Sequence, residues 1–150
     1  QGYGYQIINA SVSGETSSGG LERLPHLLAV HHPAVVLLEL GANDGLRGLP
    51  LQTVHDNLAH MITLAKGSGA EIVLLGIRLP PNYGPRYGNG FAELYSDLAR
   101  QQQVPWVPFL LDGVALDPAL MQADGMHPVA AGEPRVLDTV WPYLLPLLRH

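Results

Sequence analysis

Ala34-Val-Val-Leu-Leu-Glu-Leu40 and Glu71-Ile-Val-Leu-Leu-Gly-Ile77 are aliphatic runs that lack the polar/apolar alternation of a half-exposed strand. Strands of this kind are covered on both faces, as in parallel sheets flanked by helices. Two further runs, residues 5–10 and 106–110, read as strands of the same sheet. The segments between them carry helical spacing. From 51 to 66 the apolar residues Val54, Leu58, Met61, Ile62 and Ala65 recur at three- and four-residue steps, with Pro50 placed to start the helix and Gly67 to end it. Phe91, Leu94, Tyr95, Leu98 and Ala99 repeat the pattern. Leu21, Leu24, Leu27 and Leu28 predict a shorter helix that Pro25 either begins or kinks. A last helix is expected after Pro128 towards Leu148, its limits left open by Pro134, Pro142 and Pro146.

The resulting β-α alternation predicts an α/β fold, a three-layer α/β/α sandwich with a parallel sheet and right-handed crossovers. Ligands of such sheets bind outside the carboxyl ends of the strands. Chemistry is therefore sought in the loops 11–20, 41–50, 78–90 and 111–128.

At 150 residues the chain has the size of one domain, and with 47% hydrophobic and 14% charged residues it is built to bury surface rather than stay disordered. Thirteen acidic and eight basic residues give a net charge of −5. The sole lysine is Lys66, so no cationic stripe exists for a phosphate backbone and nucleic acid is excluded as a partner. The absence of cysteine rules out disulfides, thiolate zinc sites and a cysteine nucleophile, while leaving the redox compartment undetermined. Apolar stretches such as 34–38 fall far short of the roughly 18 residues of a transmembrane segment. The chain opens at Gln1 without an initiator Met, a basic segment or an apolar targeting segment, as a processed or truncated product would.

Several signatures fail. Gly67-Ser-Gly69 follows a helix and precedes a strand, the reverse of a dinucleotide fingerprint, and Lys66 belongs to no GK[ST] loop. His55 and His60 lie five apart on a helix, off any shared face, and no HExxH occurs. His31 and His32 end a helix before Pro33, a position suited to capping or surface roles.

Three short segments are more informative. In Asp124-Gly-Met-His127-Pro128 the carboxylate can fold onto the imidazole, set its tautomer and stabilise the imidazolium, which makes a general-base module. An Asp-Gly turn leading into a helix with Pro at its first position reads the same residues without chemistry. Gly41-Ala-Asn43-Asp44-Gly45 follows a buried strand, so the Asn43 amide can face a developing oxyanion, an interaction worth about 3 to 4 kcal/mol when well placed. A plain turn is again the alternative. In Ser13-Gly14-Glu15-Thr16, Gly14 lets a substrate approach a backbone N–H with no side chain between.

Taken together, Asn9-Ala-Ser-Val-Ser-Gly-Glu-Thr-Ser17, Leu38-Glu-Leu-Gly-Ala-Asn-Asp-Gly-Leu-Arg-Gly48, Ile77-Arg-Leu-Pro-Pro-Asn-Tyr-Gly-Pro-Arg-Tyr87 and Met121-Gln-Ala-Asp-Gly-Met-His-Pro128 resemble the SGNH/GDSL hydrolase family, and within it the bacterial thioesterase I, lysophospholipase and arylesterase type. The resemblance implies a flavodoxin-like sheet, no cofactor, Gly14 and Asn43 as oxyanion donors, Asp124 as the orienting acid and His127 as the general base. It implies a small acyl ester, thioester or lysophospholipid as substrate, and export to the periplasm. Leu46, Leu49, Ile77, Leu79, Pro80 and Tyr83 would flank the site and suit an acyl chain or aryl ester; packing of the loops onto the domain accounts for them equally well.

The family's nucleophilic serine lies in a Gly-Asp-Ser motif after its first strand, and no Gly-Asp-Ser occurs in the 150 residues. The expectation is a single SGNH-hydrolase-like domain, 1–150, incomplete at its N-terminus, in which a central strand between residues 5–10 and 34–40 is missing. Ser13 is no substitute, because Ser11 occupies the first glycine position of a GxSxG elbow. Ser13 instead shapes the turn at Gly14, with Thr16, Ser17 and Ser18 available to cap the next helix. The chain alone is then expected to fold poorly and to lack serine-dependent hydrolysis. Two other readings stay open: a carbohydrate acetylesterase of the same family, and a non-catalytic flavodoxin-like binding module.

Overall fold

The computed structural model describes residues 4–12, 14–109, 115, 117–123 and 128–148. Its sheet has three parallel strands in the order β1 (Val35–Leu38), β2 (Glu71–Leu75), β3 (Trp106–Val107). Val35 pairs with Glu71 and Leu38 with Leu74, while Leu74 and Leu75 pair with Trp106 and Val107. Because successive strand residues point to opposite faces, the unbroken apolar run of β2 feeds two cores. Ile72 and Leu74 join one with helices α1 (Ser17–His31), α3 (Leu51–Gly67) and α4 (Pro85–Gln102). Val73 and Leu75 join the other with Val107 and Val140 of α5 (Glu133–Leu144). The three layers expected from the sequence are present.

The helical faces match their periodicity. Val54, Leu58, Met61, Ile62 and Ala65 are the buried residues of α3, and Phe91, Leu94, Tyr95, Leu98 and Ala99 those of α4. Several limits differ. Helix α3 includes Gly67; the left-handed turn falls at Gly69 (φ +90°), where glycine alone is unstrained. Helix α1 starts at Ser17 and runs through Pro25, so this proline lies inside the helix and does not begin it. His32 closes α1 in a left-handed conformation, its N–H on the Leu28 carbonyl, and both His31 and His32 are exposed. The segment 41–50, expected as loop, contains a short helix, α2 (Ala42–Leu46). The terminal helix is divided into a 3-10 turn at Ala130–Gly132, α5, and another 3-10 turn at Leu145–Leu147.

Residues 5–10 are not a strand. A strand exists through its ladder, and no described strand lies beside this segment. Ile7 is 90% exposed and Ile8 45%, and the Ala10 carbonyl accepts instead from Arg23 Nη2 at 2.7 Å. Strand β1 is likewise an edge: its Leu37, on the face that α5 covers over β2 and β3, is 47% exposed.

Candidate active site

The loop following residues 5–10 turns at Gly14, with Glu15 N–H donating to the Val12 carbonyl at 3.2 Å. Gly14 has φ +78°, a region costly for residues with a side chain, and a Cβ there would meet nothing within 4 Å. Its surroundings are open, as the approach of a substrate requires. Asn43, in the first turn of α2, donates from Nδ2 to the Glu15 carbonyl at 3.1 Å. This bond sets the Asn43 amide against the residue after Gly14, across 28 residues of chain. An amide nitrogen carries two hydrogens, so Asn43 retains a second donor.

A buried carboxylate couples the same loops. Asp44 Oδ1 accepts from Ser17 N–H and Oδ2 from Ser17 Oγ, each at 2.7 Å, with both residues wholly buried. Asn57 Nδ2 of α3 reaches Ser17 Oγ and Ser18 Oγ at 3.0 Å. Thr16 occupies the N-cap of α1 without a side-chain bond, so the expected local cap is replaced by an acid 27 residues away. Free helix N–H groups and the positive end of the helix dipole both favour that carboxylate. Glu15 is held in turn by Arg23, at 2.7 Å to Nε and 2.8 Å to Nη2.

The ends of the Asn43 segment are fixed from α4. Tyr95 Oη donates to the Leu40 carbonyl at 2.6 Å and Tyr87 Oη to the Leu49 carbonyl at 2.7 Å. Burial, reinforced by the Asp44 carboxylate, raises both phenol pKa values, so both remain donors. Gly41 (φ +115°) lies against Tyr95, whose hydroxyl would collide with any Cβ there. Asp44, Ser17, Asn57 and the two tyrosines were not singled out in the sequence for these contacts. The only local signal was the adjacency of Asp44 to Asn43 and of Ser17 to the Gly14 loop.

Of the expected substrate-lining residues, Tyr83 borders a cavity of about 550 Å³ with Leu51, Pro85 and Tyr87. Leu79 and Pro80 border a second, of about 620 Å³, with Arg78, Asn89 and Glu93. Leu46, Leu49 and Ile77 line neither; Ile77, like Leu79, packs on the larger core. Asp124 and His127 lie outside the described residues, as does Ser13. The chain flanking them is pinned: Met121 and Pro128 form an antiparallel bridge, and Val129 N–H donates to the Leu120 carbonyl at 2.8 Å.

Among the described residues, no three His, Asp or Glu side chains group to hold a metal ion, and no helix is long and apolar enough to cross a membrane.

Esterase TesA of Pseudomonas aeruginosa is 53% identical over 148 residues, which cover 99% of the chain and 74% of that protein. Thioesterase 1/protease 1/lysophospholipase L1 of Escherichia coli is 45% identical over 144 residues, covering 96% and 69%. The crystal structure of TesA superposes with a TM-score of 0.94 at 54% identity, over 98% of the chain and 82% of that structure. Residues 1–134 match the sequence profile of the GDSL-like lipase/acylhydrolase family, and the chain belongs to that family of ester hydrolases.

Proposed function

We propose that this chain supplies the oxyanion donors and the acid-base pair of a serine ester hydrolase. In this reading Gly14 N–H and the free hydrogen of Asn43 hold the oxyanion, His127 takes the proton of the nucleophilic serine and returns it to the leaving alcohol or thiol, and Asp124 steadies the imidazolium. The observation that carries it is the Asn43–Glu15 bond, which sets an amide from one loop beside the Gly14 turn of another. Small acyl esters, thioesters and lysophospholipids are the proposed substrates, in keeping with the names of the relatives. Tyr83, Leu79 and Pro80, which border the two cavities, are the proposed apolar lining.

The serine must come from a Gly-Asp-Ser segment, which the 150 residues do not contain. The chain is therefore assayed on a p-nitrophenyl ester alone and joined to a Gly-Asp-Ser strand and helix. Hydrolysis by the joined polypeptide only is expected; equal activity in both defeats the reading. Activity of the joined form should rise with pH across the titration range of an imidazole, whereas a flat profile between about pH 5 and 8 contradicts His127 as base.

A further inference from the structure

Tyr87, Phe91 and Tyr95 succeed one another at four-residue steps on α4 and so share one face of that helix. Each meets a different part of the segment that carries Asn43. Tyr95 holds the Leu40 carbonyl where β1 gives way to Gly41, Phe91 stands 3.0 Å from the position of a Cβ on Gly45, and Tyr87 holds the Leu49 carbonyl at the far end. The two phenols are eight residues apart, or about 12 Å along the helix axis. Phe91 and Tyr95 lock each other edge to face, with ring centroids 5.4 Å apart.

A core helix gains nothing from burying hydroxyls unless they are bonded, and phenylalanine would fill the same volume. The apolar member of the row is the one that faces the middle of the segment, and the two hydroxyls face carbonyls at its ends. We infer that Tyr87 and Tyr95 are positioning residues for the oxyanion amide: through the carbonyls of Leu40 and Leu49 they fix the length and tilt of the segment, and hence the direction of Asn43. They touch no reacting atom. This deepens the hydrolase reading and rests on it.

The test removes each hydroxyl and keeps the ring. In the joined polypeptide, Tyr95→Phe is expected to lower kcat for a p-nitrophenyl ester about tenfold and Tyr87→Phe about threefold, with KM little changed, because small misplacements of an oxyanion donor cost rate rather than binding. In an Asn43→Ala background both losses should vanish, since the amide being aimed is gone. In the joined polypeptide, the side-chain amide resonances of Asn43 should also shift or broaden in each variant. Full additivity with Asn43→Ala, or unmoved Asn43 resonances, overturns the inference. If the joined polypeptide hydrolyses nothing, the hydrolase reading falls, and the amide resonances still decide the positioning. Should Tyr95→Phe fail to fold, Tyr87→Phe, whose ring is only half-buried, carries the same comparison.

Discussion

Strand β2 and the segment 5–10 are both short apolar runs, and they end in opposite environments. β2 has a neighbour on each side and a core against each face, so Val73 and Leu74 are fully buried. Segment 5–10 has no ladder among the described residues, and Ile7 stands almost wholly in solvent. The difference is one of neighbours: an extended backbone becomes a stable strand only when its N–H and C=O groups are answered from beside it. Apolar content alone does not supply that.

The contrast can be broken at its strongest point. Leu74→Ala should lower the unfolding free energy in urea by about 4 kcal/mol, through lost transfer energy and the cavity left behind. A loss no larger than that of a surface substitution would mean that β2 is not the shared centre of the cores. Asp44→Ala, which strands the N–H and hydroxyl of Ser17 in the interior, should cost about 2 to 3 kcal/mol by the same measurement. Asp44→Asn should recover part of that loss, because an amide oxygen can still accept.

A local surface contact provides a milder comparison. Hydrogen bonds from His55 and then Gln52 hold the Asp56 carboxyl below its ordinary value of 3.8. Its folded-state pKa is depressed, so its stabilising contribution is complete above the unfolded value and is lost as pH falls through the lower, folded one. The stability gap between the wild type and Asp56→Asn should therefore close as pH is lowered from about 5 towards 2; a constant gap contradicts the bond. Smallest of all, Ile7→Ser should change stability by no more than about 0.5 kcal/mol, as befits an exposed position.

What the sequence made legible followed from local rules. The five buried residues of α3 and the five of α4 lie at helical spacing, and the run around β2 declares its two covered faces, whereas the like run around β1 leaves Leu37 half exposed. The Gly14 and Asn43 segments were legible too, as turns placed after apolar runs. Less visible were features whose partner is distant in the chain. That residues 5–10 lack a neighbouring strand was legible only through the missing Gly-Asp-Ser block, not from the run itself. The cap of α1 comes from Asp44 rather than from Thr16, and the acceptors of Tyr87 and Tyr95 lie 38 and 55 residues away. Those acceptors are main-chain carbonyls, which carry no side-chain signature at all.

The two cores divide the molecule in a way that bears on how it would open. Loops bearing Gly14 and Asn43 are moored to α1, α3 and α4, on the larger cluster, whereas residues 124–127 directly precede the chain that enters α5, on the smaller one. Local unfolding tends to follow such clusters. Loss of α5 would then uncover Val73, Leu75 and Val107, while the bonds that couple the Gly14 and Asn43 loops, all on the other cluster, stayed made.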